Sequence, residues 1–182
     1  MMHYVLESRR KGDEGRMKKS NFVMVVVAVI LVITCTCAFA LINEEQREVL
    51  RGLERVHVVI KRLKPEIEVD GLYRSTLQGD VDLTLRMAGI KVLSEEESLK
   101  TSGTPDLCLK VNALKCSGGY VFSIDLSLEE KVTLIRKNIQ ISATALKIGE
   151  QLGIAPRLSD IRDEVKDLIE EFVKAWRAAN QK

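Results

Sequence analysis

Aromatic residues make up only 4% of this 182-residue chain, with a single Trp, and there are just two His, four Cys and three Pro. Each shortage excludes something. Three Pro and eleven Gly without a repetitive tract do not build a collagen-like or mucin-like polymer, and 46% apolar residues are more than a wholly disordered chain carries. Beyond residue 40 the only histidine is His57, and neither a Cys-x-x-Cys nor a His-x-x-x-His pair occurs, so a zinc site lacks donors at its usual spacing. No Gly-x-Ser-x-Gly elbow accompanies His57, which removes the common serine-hydrolase frame. The glycines at Gly118, Gly119, Gly149 and Gly153 lack the strand-to-helix context of a phosphate loop and read as turns. Glu95, Glu96 and Glu97 follow Ser94 as acids at a helix N-terminus do, without the spaced oxygen ligands of a calcium loop. Residues 41–182 hold 22 basic and 23 acidic side chains, and the short cluster Lys61-Arg62-x-Lys64 reads as a solvated strand end. There is no basic stripe interleaved with aromatics for a nucleic acid. The expectation is therefore no catalytic residue, no cofactor, no metal and no nucleic-acid partner.

What the chain does have is one long apolar run. Met17-Lys18-Lys19-Ser20-Asn21 leads into twelve uninterrupted apolar residues, Phe22 to Ile33, followed by Thr34-Cys35-Thr36-Cys37 and Ala38-Phe39-Ala40. A basic start, an apolar core and small residues three and one before a cut after Ala40 are the three parts of a signal peptide. The organisation expected is residues 1–16 as an over-long start or cytoplasmic tail, 17–40 as signal peptide, and 41–182 as a single α+β domain. The alternative is an uncleaved anchor, because Phe22 to Ile42 is uncharged and of about bilayer-spanning length. Both place the domain outside the cytoplasm, periplasmic, extracellular or anchored at the inner membrane, since the basic residues precede the run and Glu44-Glu45 follow it. Thr34 before Cys35 is a poor fit to a lipoprotein signal.

An oxidising destination makes Cys108 and Cys116 a tempting disulfide. Eight residues along one strand separate them by about 26 Å, far beyond what a bridge tolerates. Two free thiols, or an intermolecular bridge through Cys116, are expected.

Residues 44–56 carry Val49, Leu50, Leu53 and Val56 at helical spacing, then Val56 to Leu63 reads as a strand with Pro65 and Gly71 in the loop that follows. Ser75 with Gln78 reads as a capping box for a helix whose stripe is Leu77, Val81, Leu85 and Ala88, ended by Gly89. A short strand Ile90–Leu93 and a helical turn capped by Ser94 and Glu97 come next. Leu107, Leu109, Val111 and Ala113 alternate with polar residues, as do Tyr120, Phe122, Ile124, Leu126 and Leu128, giving a hairpin with one buried and one wet face. A turn at Arg136-Lys137-Asn138 leads to a last strand with Ile139, Ile141, Ala143 and Ala145 inward, broken by Gly149, Gly153 and Pro156. Ser159 caps a helix over 160–179 with the stripe Ile161, Val165, Leu168, Phe172 and Trp176. These add up to α+β: a mixed, mainly antiparallel sheet, helices packed on one face, and a long C-terminal helix.

In this order, the stretches Leu83–Leu93, Tyr120–Ile124 and Ile161–Leu168 with Phe172 resemble a group of small, uncharacterised exported bacterial proteins, over nearly all of residues 49–182. That resemblance implies no activity. More distantly the arrangement is similar to the amino-terminal domain of the periplasmic TolB protein and to lipoprotein activators of penicillin-binding proteins, which implies a binding module without catalytic residues and transfers no site residue.

The functional expectation is an exported, non-enzymatic envelope protein that binds a protein or wall component, meeting membrane only through its N-terminal segment, with self-association as a further option. Its recognition surface is the wet face: Lys110, Asn112, Ser123, Asp125, Ser127, Ser142 and Thr144. The alternative is a small periplasmic enzyme or ligand carrier whose site gathers residues distant in sequence.

Overall fold

A computed structural model describes residues 44–180. The expected signal peptide over 17–40, the stretch 1–16 before it, and Cys35 and Cys37 lie outside the described residues. The order is α1 (Glu44–Leu50), β1 (Arg55–Ile60), α2 (Pro65–Val69), α3 (Arg74–Ala88), β2 (Lys91–Leu93), α4 (Glu95–Lys100), β3 (Asp106–Cys116), β4 (Gly119–Leu134), β5 (Ile139–Ala155) and α5 (Leu158–Asn180). The five strands form one sheet in the order β2-β1-β3-β4-β5, parallel at β2-β1-β3 and antiparallel at β3-β4-β5.

One face of the sheet carries the core. Val56, Val58 and Ile60 of β1, Leu107, Leu109 and Val111 of β3, and Phe122, Ile124, Leu126 and Leu128 of β4 are buried at every second position. They pack in one cluster with Leu77, Val81 and Leu85 of α3 and with Ile161, Val165, Leu168 and Phe172 of α5. Each helix buries one stripe at a spacing of three or four residues, so both stripes meet the same sheet face. Arg162 of α5 donates to both carboxylate oxygens of Asp80 on α3, with Nη2 to Oδ1 at 2.8 Å, and ties the two long helices together. Its guanidinium holds the Asp80 carboxyl below the usual carboxylate range.

The first and last helices of the described residues also meet. Asn180, at the end of α5, donates to the Leu50 carbonyl at 2.8 Å and accepts from Gly52 N–H at 2.7 Å, closing the C-terminus of α1. Trp176 Nε1 donates to the Leu53 carbonyl at 2.6 Å.

Several boundaries differ from expectation. The first helix stops at Leu50 and Val56 belongs to β1, which ends at Ile60. Pro65 opens a one-turn helix, α2, because proline at a first helical position gives up an N–H that has no partner anyway. Helix α3 begins at Arg74 behind Tyr73 with no side-chain cap, while Gln78 donates to Asp82 instead, so Ser75 and Gln78 form no capping box. The box at Ser94 and Glu97 is present, with Ser94 N–H to Glu97 Oε2 at 2.9 Å and Glu97 N–H to Ser94 Oγ at 3.3 Å.

The largest correction concerns β5. Gly149 and Gly153 do not interrupt it; it runs on to Ala155. Irregularities in register opposite Leu126/Ser127 and Leu128/Glu129 each place an extra residue on β5. The extra residue beside Leu146 is Ala145, which drops out of the inward row, and Leu146 takes over that row opposite Leu128. Gly149 and Gly153 then face the core where space is shortest: a Cβ at Gly149 would lie 2.4 Å from Leu168 Cδ1, and one at Gly153 would lie 3.0 Å from the Phe122 ring. Ile139 and Ile141 do share the core-side face, but they lie beyond the helix-covered part of the sheet and are exposed.

Candidate recognition face

The opposite face of the sheet presents cross-strand rows fixed by register. Cys108, Ser127 and Lys147 form one row; Lys110, Asp125 and Glu150 the next; Asn112, Ser123 and Leu152 the third; Leu114, Val121 and Ile154 the fourth. The structure thus brings five of the seven sequence-derived residues, Lys110, Asn112, Ser123, Asp125 and Ser127, into one contiguous patch. Thr144, opposite Glu129, and Ser142, opposite Lys131, share the face but lie further along the strands.

The patch is internally bonded. Asn112 Nδ2 donates to Ser123 Oγ at 3.0 Å, and Lys147 Nζ reaches Glu150 Oε2 at 2.6 Å. That contact lowers the Glu150 carboxyl and raises the Lys147 ammonium from their ordinary values. The mixed signs leave a polar, nearly neutral strip.

Beside it lies what the residue pattern alone did not reveal. Leu152 is 80% exposed, Ile154 71% and Leu114 62%, with Val121 between them, so the end of the face near the Ser117-Gly118 turn is an apolar patch. Leu152 and Ile154 sit on β5, which on its far side has no strand partner among the described residues. Their signal was present as the alternation of Leu152 and Ile154 with Gln151 and Gly153. Reading the glycines as breaks hid it.

Near this end, Asp70 Oδ2 accepts from Lys115 Nζ at 2.9 Å and from Tyr120 Oη at 2.8 Å, which holds the Asp70 carboxyl below its ordinary value. The groove between α2 and β3 is lined by Pro65, Ile67, Val69, Ala113, Leu114 and Lys115.

The opposite corner of the face is closed. Leu93 and Cys108 are buried there, outside the main core. The two crossovers β1-α3-β2 and β2-α4-β3 run in opposite directions, and right-handed connections then put α4 on the side away from α3, so the expectation that the helices pack on one face holds for α3 and α5 and not for α4. His57 Nδ1 lies 2.8 Å from Asp106 Oδ1 and joins β1 to β3, and Lys61 Nζ is 3.9 Å from Glu129 Oε1. Burial pushes the Cys108 thiol up to about 11, with Glu129 and Asp106 adding to the effect against Lys61. At neutral pH it stays protonated and is a poor nucleophile. Cys116, at the other end of β3, is exposed, and both thiols are free.

Among the described residues no group of three His, Cys, Asp or Glu side chains is placed to hold a metal ion, and no helix is long and apolar enough to cross a membrane.

No family model and no curated protein matches this chain. Among solved structures it is similar to a minor lipoprotein from Acinetobacter baumannii, at 10% identity and a TM-score of 0.24, covering 70% of this chain and 93% of that one. A likeness of that size bears no weight for fold or role.

Proposed function

We propose that the chain is an exported cell-envelope protein that acts as a binding module for another protein or a wall component. Its working surface is the outer sheet face together with the β5 edge. The observation that carries the reading is the patch of Leu114, Val121, Leu152 and Ile154, exposed beside the polar strip and continuous with the open strand. Apolar side chains rimmed by polar ones, next to unpaired backbone donors and acceptors, suit a protein partner that adds a strand or lays a side chain across the rows. The bulges in β5 support selectivity, since they spoil the flat edge that indiscriminate pairing needs. Export rests on the leader at residues 17–40.

The reading excludes Cys108 as a catalytic nucleophile, given its burial and raised pKa. A small enzyme or ligand carrier is the competing role, and the outer face distinguishes the two. The test is capture from envelope extract by the tagged chain and by its Leu152→Lys/Ile154→Lys form. Loss of a specific partner in the variant, with unchanged thermal unfolding, supports the binding face; an unchanged partner set refutes it.

A further inference from the structure

At the end of the sheet away from the Leu152 patch, β4 and β5 continue without β3. Glu130–Leu134 pairs with Ile139–Ala143, and the resulting two-stranded ribbon runs about 16 Å beyond the start of β3. Beyond Glu130 and Ala143, which start the core-side row, its strands alternate: Val132, Leu134, Ile139 and Ile141 line that side, while Lys131, Thr133, Gln140 and Ser142 line the other. The tip is a tight turn in which the N–H groups of Lys137 and Asn138 both bond the Leu134 carbonyl, with Asn138 at φ 51. That turn thrusts Ile135 outward at 96% exposure, flanked by exposed Arg136 and Lys137.

We infer that this ribbon is a membrane-contacting finger: Ile135 and the apolar side enter the headgroup region of an anionic phospholipid bilayer while Arg136 and Lys137 bind its phosphates. The argument is one of matched chemistry. Three cations face a single acid, Glu130, over residues 130–143, so the ribbon is net positive although residues 41–182 as a whole are not. An apolar tip beside two cations gains from both acyl-chain burial and the negative surface potential. A soluble polyanion would use the cations but leave Ile135 in water. A protein partner fits the mixed-charge outer face better than this uniformly basic tip. The inference is independent of what the outer face binds, because the two surfaces sit at opposite ends of β4.

The test uses residues 44–182, which form a compact unit with their own core, and vesicles of phosphatidylglycerol with phosphatidylethanolamine or of phosphatidylcholine alone. Sedimentation with the anionic vesicles is expected, falling with salt. Arg136→Glu/Lys137→Glu should lower it at least about tenfold, Ile135→Ser should also lower it, and the charge reversal Lys174→Glu on α5 should not. Binding that ignores Ile135→Ser and follows charge alone indicates a polyanion contact and overturns the inference, as does absence of binding. A second readout uses the full chain reconstituted in vesicles with brominated acyl chains. Fluorescence of Ile135→Trp should be quenched beyond that of the parent, which has Trp176 alone, and beyond Leu152→Trp. Equal quenching at both positions overturns it too.

Discussion

Between Phe122 and Leu128, β4 buries every second side chain under α5; between Glu130 and Leu134 the same alternation continues without such burial. The two stretches belong to one strand; the second is more polar, with Glu130 and Lys131 at its start, yet it keeps Val132 and Leu134 on the core-side face. The length of the covering layer differs as well. Helix α5 has 23 residues and spans about 35 Å at 1.5 Å per residue, whereas the 16 residues of β4 span about 53 Å at 3.3 Å each. A strand pair that outruns its helix leaves the apolar side chains on the proper face half-buried, as at Val132 and Leu134, or exposed, as at Ile139 and Ile141. Period-two alternation reports which way a side chain points, and only the packing partner decides whether that direction is dry.

The comparison breaks most visibly at Phe172. Phe172→Ala should cost about 3–5 kcal/mol in denaturant unfolding, while Ile135→Ala and Ile141→Ala should stay within about 0.5 kcal/mol. Equal losses would mean that the ribbon is covered after all. Gly119, at φ 132, tests where β4 begins its covered run: a Cβ there would lie 2.2 Å from the Ala155 carbonyl oxygen, and Gly119→Ala should cost about 2 kcal/mol. Asn180→Ala removes the clasp on α1 and should cost about 1–2 kcal/mol by the same measurement.

A small effect belongs to the Asp80–Arg162 pair, which is partly exposed, so Asp80→Asn should cost about 1 kcal/mol or less near neutral pH. Because the folded state depresses the Asp80 pKa, its contribution is complete above the ordinary value of 3.8 and is lost as the pH falls through the lower folded value. Urea midpoints of the parent and Asp80→Asn should therefore differ at pH 7 and converge in strong acid. A difference that grows on acidification would contradict the assigned direction.

Much of the fold was legible because its signals are local. The Ser94–Glu97 box, the Gly89 cap and the α5 stripe each need only neighbours along the chain, and the rows of β3 and β4 follow from simple alternation. The α3 start at Arg74 was not legible, since Leu72 and Leu77 are buried on either side of it and no side chain caps it. Nor was the second half of β5. A bulge changes the phase of a strand, and glycines facing a crowded core, Gly149 against Leu168 and Gly153 against the Phe122 ring, look in sequence like glycines in a turn. The polar part of the candidate face was therefore found, and its apolar part at Leu152 and Ile154 was missed.

The central claim is that the outer face near the β5 edge meets a partner. Site-specific photo-crosslinking in the producing cell tests it most directly, with a photoreactive side chain placed in the full chain at Leu152 or, as comparison, at exposed Leu83 on α3. A discrete adduct from Leu152 and none from Leu83 is the predicted result. No adduct at Leu152, or the same adduct from both positions, would contradict the claim.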